Sequence, residues 1–136
     1  MSKIAFIYPG QGAQVCGMGQ DFYEQTETGK QVFDLATEIL GFSVPELCFT
    51  KNDRLDITEY TQAAMVTTSI AMTKVLEEKG VKPDVAAGLS LGEYCRCNDR
   101  KGCHCYCKTE RNSYAGGSSC RAGRHGCNSG YGCLCY

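Results

Sequence analysis

At 136 residues the chain is long enough for one domain with a modest buried core, and its 43% hydrophobic content suits a folded globular protein. A formal net charge of -1 removes any electrostatic reason to expect nucleic acid or an anionic membrane as a partner. The opening stretch to Gly10 carries one lysine and a short apolar run ended by Pro9. That run is too short for a signal-peptide core or a bilayer span, so a cytoplasmic protein is expected.

Residues 3–8 form an apolar run rich in Ile, Phe and Tyr, closed by Pro9-Gly10, which reads as a buried parallel strand feeding a tight turn. Between residues 20 and 40, Phe22, Tyr23, Val32, Phe33, Leu35, Ala36, Ile39 and Leu40 are spaced for one or two amphipathic helices broken around Gly29, with Gly41 as C-cap. A turn region around Pro45 follows. Asp56 or Thr58 is placed to cap a long helix from about Glu59 to Lys79, whose apolar centre predicts burial on most faces. Gly80 ends that helix, and Val85-Ala86-Ala87-Gly88 reads as a second short strand. Strand, helices, strand in this order predicts an α/β domain with a parallel sheet and flanking helices.

Gly88-Leu89-Ser90-Leu91-Gly92 directly follows the second strand and fits G-x-S-x-G. In that context the motif makes a strained strand-to-helix turn that presents the serine hydroxyl at the carboxyl end of a sheet. The amide of Leu91, at the start of the next helix, is then placed to donate to an oxyanion. Taken alone, the pentapeptide is equally compatible with a chance glycine-serine turn.

Extended to Glu93-Tyr94, and taken with Tyr8-Pro9-Gly10-Gln11-Gly12-Ala13-Gln14 after the first strand, the motif resembles the bacterial malonyl-CoA:acyl carrier protein transacylases. Thr61-Gln62-Ala63-Ala64 is similar to the family's T-Q-P-A segment, with Ala63 in place of proline. The resemblance covers residues 3–94 and implies part of an acyltransferase-type, α/β-hydrolase-like fold. It implies Ser90 as the nucleophile that accepts a malonyl group, the backbone amides of Gln11 and Leu91 as the oxyanion hole, and Gln62 in the substrate pocket. The implied partners are malonyl-CoA and the phosphopantetheine thiol of acyl carrier protein, in fatty acid synthesis, with no cofactor and no metal. Leu89 stands where many members have histidine. The family's catalytic histidine and carboxylate-binding arginine have no recognisable match, and neither His104 nor His125 lies in a family-like motif.

Of the eleven cysteines, only Cys16 and Cys48 precede residue 95. From Cys95 onward aliphatic residues nearly vanish, which divides the chain into an acyltransferase part at 1–94 and a cysteine-rich tail at 95–136, expected to be disordered. No C-x-x-C occurs, so zinc binding is poorly supported, although the repeated C-x-C leaves a soft-metal-binding protein as an alternative function. A polyketide synthase acyltransferase is the alternative within the enzyme class, and Met1 just ahead of the first strand favours the stand-alone enzyme.

The genetic code accounts for the tail. Cysteine codons read from their second base encode valine or alanine, and those of tyrosine, asparagine and histidine encode isoleucine, methionine or threonine. With permitted codons the stretch from Cys95 becomes A-A-A-M-T-A-K-A-A-I-A-I-V-R-Q-R-G-I-L-M-Q-E-A-V-P-A-G, which resembles the family's next segment. Glu110 then occupies the codon of the carboxylate-binding arginine. The expected product is frame-shifted and truncated, with reactive tail thiols, a tendency to aggregate and little or no malonyl transfer.

Overall fold

The structure, a computed structural model, describes residues 2–92, Cys95 and two three-residue strands beyond it. In chain order the elements are β1 (Ala5–Tyr8), α1 (Gln20–Gln25), α2 (Glu27–Leu40), α3 (Val44–Phe49), a 3-10 turn (Arg54–Asp56), α4 (Thr58–Glu78), β2 (Val85–Gly88), β3 (Tyr106–Lys108) and β4 (Gly132–Leu134). β1 and β2 pair in parallel, in register from Ala5 with Val85 to Tyr8 with Gly88. A parallel pair needs a crossover, and α1 to α4 supply it. Asp84 pins the register: its amide donates to the Ile4 carbonyl at 2.8 Å and its carboxylate accepts from the Ile4 amide at 2.8 Å.

The break between the first two helices falls at Thr26, not at Gly29. Thr26 is extended at φ -135°, its hydroxyl accepts from the Gly29 amide at 3.1 Å, and Gly29 lies inside α2. A hydrogen-bonding cap decides the boundary where glycine content alone suggested another. Gly41 does end α2, at φ 76°. The Pro45 region is not simply a turn but the start of α3, because Ser43 accepts from the Glu46 amide at 3.2 Å and proline fits the first turn of a helix. At the end of α4, Gly80 has φ 81° and the Val81 amide donates to the Leu76 carbonyl at 2.9 Å, a Schellman closure.

The core is helical. α2 buries Gly29, Phe33, Ala36 and Leu40 along one face, and α4 buries residues on most of its faces, as its composition predicts. Ala63, Ala64, Ile70 and Ala71 of α4 share a cluster with Phe33, Val44, Leu47 and Cys48. Small residues on α4 let the helices approach closely while Phe33 fills the space between them, in edge contact with Tyr23 at 5.7 Å between ring centres and tilted against Phe49 at 5.3 Å.

The strands are not buried on both sides. Tyr8, on the inner face, is 5% exposed and shares a 3.0 Å hydrogen bond with Thr73 of α4, whereas Ile7 and Val85 on the outer face are 71% and 55% exposed. An apolar run predicts burial of every residue, but among the described residues helices cover one face only. β3 and β4 pair antiparallel inside the stretch expected to be disordered. Tyrosine and cysteine are compatible with a pleated ladder, and its bonds come from the backbone. The remainder of that expectation lies outside the described residues, as do His104 and His125.

Candidate active site

β1 and β2 lie side by side and parallel, so the loops leaving their carboxyl ends emerge together, where open α/β sheets build their sites. The Leu89 amide extends the ladder by donating to the Tyr8 carbonyl at 3.1 Å, and the chain then reverses, closed by Gly92 N–H to the Leu89 carbonyl at 2.9 Å. Ser90 sits in that turn with φ 51° and is exposed; among the described residues it is the one non-glycine at positive φ. An L-residue there is strained, and such strain gathers at functional turns.

Two glycines allow the turn. A Cβ on Gly92 would lie 2.7 Å from the Tyr8 carbonyl carbon and 2.9 Å from the Pro9 carbonyl oxygen, so only glycine lets the new helix start this close to the end of β1. A Cβ on Gly10 would lie 2.9 Å from the Leu89 carbonyl oxygen and 3.6 Å from Cβ of Ser90. The loop after β1 is thereby held against the serine turn.

Gln11 follows Gly10 and is exposed, and its side-chain amide donates to the Thr58 hydroxyl at 3.1 Å. Its backbone amide, like that of Leu91, has no acceptor among the described residues, which leaves both N–H groups able to receive a developing negative charge. Gln62 is half-buried, one helical turn beyond Thr58 on the same face of α4, and its side chain makes no hydrogen bond among the described residues. Ser90 and Gln11 are therefore brought together, and Gln62 stands on the helix to which Gln11 is tied.

Thr58 and Asp56 do not cap α4. Its N-cap is Ile57, without a side-chain hydrogen bond, while Asp56 accepts from the Gln14 side chain at 3.1 Å and Thr58 from Gln11. Sequence reasoning recognised both as helix-start residues but missed the loop they hold, since a cap and a distant tie call for the same residue types. Thr61 of the T-Q-A-A segment is fully buried, and its hydroxyl donates to the Leu55 carbonyl at 2.5 Å, joining the 3-10 turn to the helix.

Of the three free cysteines among the described residues, Cys16 is exposed and Cys48 and Cys95 are buried. Burial pushes the Cys48 thiol up to about 12, against a smaller opposing effect of the neighbouring Thr68 side chain. Burial likewise pushes Cys95 up to about 11, opposed by a hydrogen bond with Ser69. Both stay protonated at neutral pH and are inert. Among the described residues no group of three or more His, Cys, Asp or Glu could hold a metal ion, and no helix is long and apolar enough to cross a membrane. The side chains of the cysteines beyond Cys95 are not among those described.

Residues 5–99 match the family model described as the acyl transferase domain. Over 95 residues the chain is 47% identical to the malonyl CoA-acyl carrier protein transacylase of Bacillus subtilis, an alignment that spans 69% of this chain and 30% of the relative. It is 48% identical over 94 residues to the polyketide biosynthesis protein PksE of the same organism, covering 67% of this chain and 12% of that one. The crystal structure of the malonyl CoA-acyl carrier protein transacylase of Clostridium perfringens superposes with a TM-score of 0.68 at 43% identity, over 71% of this chain and 31% of that one. The chain thus spans about 30% of the length of the transacylases it matches.

Proposed function

The chain belongs to the family of acyl transferase domains, and from that premise we propose that Ser90 accepts a malonyl group from malonyl-CoA and passes it to the phosphopantetheine thiol of acyl carrier protein. The observation that carries the reading is the left-handed backbone of Ser90 at φ 51°, in a turn that Gly10 and Gly92 press against the end of β1. In this reading Ser90 Oγ attacks the thioester carbonyl, forming the Oγ–C bond while the carbonyl electrons move onto oxygen. The amides of Gln11 and Leu91 stabilise that oxyanion more than the ground-state carbonyl, which is what lowers the barrier. Collapse breaks the C–S bond, the coenzyme A thiolate leaves and takes up a proton, and the carrier protein's thiol reverses the sequence. Gln62 lines the pocket, and no cofactor takes part.

Serine needs a base to lose its proton, and the malonyl carboxylate needs a cation; no residue is assigned to either role. We therefore propose that the 136-residue chain acylates slowly and turns over little, with residues 1–94 as the acyltransferase part and 95–136 outside it, encoded out of frame. Incubation with malonyl-CoA followed by intact-mass and peptide mass spectrometry is expected to show slow addition of one malonyl group at Ser90, absent from Ser90→Ala. Label at another residue, or equal label in Ser90→Ala, would refute the serine assignment. Efficient turnover would refute the need for the two unassigned groups. Translating the nucleotide sequence around codon 95 in three frames tests the tail: stop codons in the shifted frame, or absence of the R-G-I-L-M-Q-E-A-V-P stretch, would rule the reading out. The similarity to PksE supports a second reading, a polyketide-type acyltransferase, distinguished by whether a fatty-acid or a polyketide carrier protein accepts the group faster.

A further inference from the structure

We propose that Gln14 and Asp56 are positioning residues for the oxyanion amide of Gln11, an inference that rests on the role proposed above for that amide. The Gly12 amide donates to Gln14 Oε1 at 2.8 Å, and Gln14 Nε2 donates to Asp56 Oδ1 at 3.1 Å. One side chain thus bridges the loop backbone to a carboxylate 42 residues further along the chain. A parallel tie joins Gln11 Nε2 to Thr58 Oγ1 at 3.1 Å. The two acceptors flank Ile57, the N-cap of α4, which has no side-chain hydrogen bond of its own. Oxygens of the kind that ordinarily cap a helix are here committed to the loop.

The Gln11 N–H lies in the Gly10–Gln11 peptide, whose carbonyl accepts from the Ala13 amide at 3.4 Å, and how far that plane can turn depends on the peptide that follows it. Gly12 has φ 108°, and a glycine beside the Gln11–Gly12 peptide leaves that peptide free to rotate unless something holds it. Gln14 holds it by the Gly12 N–H, and Asp56, the last residue of the 3-10 turn ahead of α4, holds Gln14. Gly10, packed against Leu89 and Ser90, fixes the other side of Gln11. With both sides fixed, the Gln11 N–H keeps one direction relative to Ser90 before any substrate arrives. A preorganised donor stabilises charge at no cost of reorganisation, whereas a wandering one does not.

The test compares Gln14→Ala, Gln14→Glu, Asp56→Ala and Asp56→Asn in the full 136-residue chain by the rate of single acylation of Ser90 across malonyl-CoA concentrations. Asp56→Ala and Gln14→Ala are expected to slow the saturating rate roughly tenfold, less than loss of an oxyanion donor itself, with the half-saturating concentration unchanged. Asp56→Asn keeps the acceptor oxygen and is expected to retain the parent rate. Gln14→Glu keeps the bond to Gly12 but sets one carboxylate against another, and is expected to be as slow as Asp56→Ala. An unchanged rate in Asp56→Ala, or Asp56→Asn as slow as Asp56→Ala, would overturn the proposal. If the parent chain does not acylate at all, the serine assignment fails and the tie is read from amide hydrogen exchange. Gly12 N–H is then expected to exchange roughly tenfold faster in Gln14→Ala and Asp56→Ala but not in Asp56→Asn. Equal exchange in all of them overturns the proposal.

Discussion

Replacing Ser90 with glycine removes the hydroxyl and, at the same time, the Cβ that the left-handed turn disfavours. Alanine removes the hydroxyl and keeps the Cβ, so the pair Ser90→Ala and Ser90→Gly isolates the backbone strain at φ 51°. An L-residue in that conformation costs about 1–2 kcal/mol, and glycine returns about 0.4–1 kcal/mol of this through the greater freedom of its unfolded chain. The serine is exposed and its side chain makes no hydrogen bond among the described residues, so little else changes. Glycine is therefore expected to be more stable than alanine by about 0.5–1 kcal/mol, or roughly 2–8 °C in melting temperature for a domain of this size. Urea and thermal unfolding followed by far-ultraviolet circular dichroism measure the difference. Neither variant should acquire a malonyl group, so the two are expected to differ in stability while sharing the loss of activity. A glycine variant no more stable than the alanine variant would refute the strain, and with it the reason for treating Ser90 as a specially held residue.

Gly92→Ala should destabilise the fold by about 2–3 kcal/mol, since the atoms its Cβ would meet belong to the backbone of Tyr8 and Pro9 and cannot turn aside; an unchanged urea midpoint would show that the close approach is wrong. The buried Cys48 thiol makes stability depend on alkali. Its folded value is raised from 9.0 to about 12, so its contribution is complete below about pH 9 and is lost as pH rises toward about 12, where the folded state too must ionise. Cys95, raised to about 11, acts in the same direction. Unfolding free energy should fall across that window in the parent chain and fall less steeply in Cys48→Ala, and identical slopes would show that the thiol is not responsible.

Much of this was legible in local sequence because its causes are local. A strand followed by G-x-S-x-G needs only adjacent residues to build the turn, and Ser90, Leu91 and Gly92 take it up as the pattern implies. The small apolar residues of α4 announce burial on several sides, and Gly41 and Gly80 stop their helices through backbone freedom that no neighbour supplies. Errors arose where one residue type serves two purposes. Gly29 looked like a break until the Thr26 hydroxyl took that role, and Pro45 looked like a turn until Ser43 made it a helix start.

Only tertiary structure decided how the candidate site is held together. Asp56 and Thr58 could each have capped α4, and which partner they take depends on where the loop after β1 lies, a contact made across 42 and 47 residues of chain. Nor could the apolar runs of β1 and β2 reveal that Tyr8 faces Thr73 while Ile7 and Val85 face outward, because side-chain alternation assigns two faces without saying which is covered. The order of residues thus determined the elements and the strained serine turn, through propensities and backbone sterics acting over a few residues. Packing determined the rest: the direction of the Gln11 amide and the covered side of the sheet depend on contacts that exist only once distant segments meet.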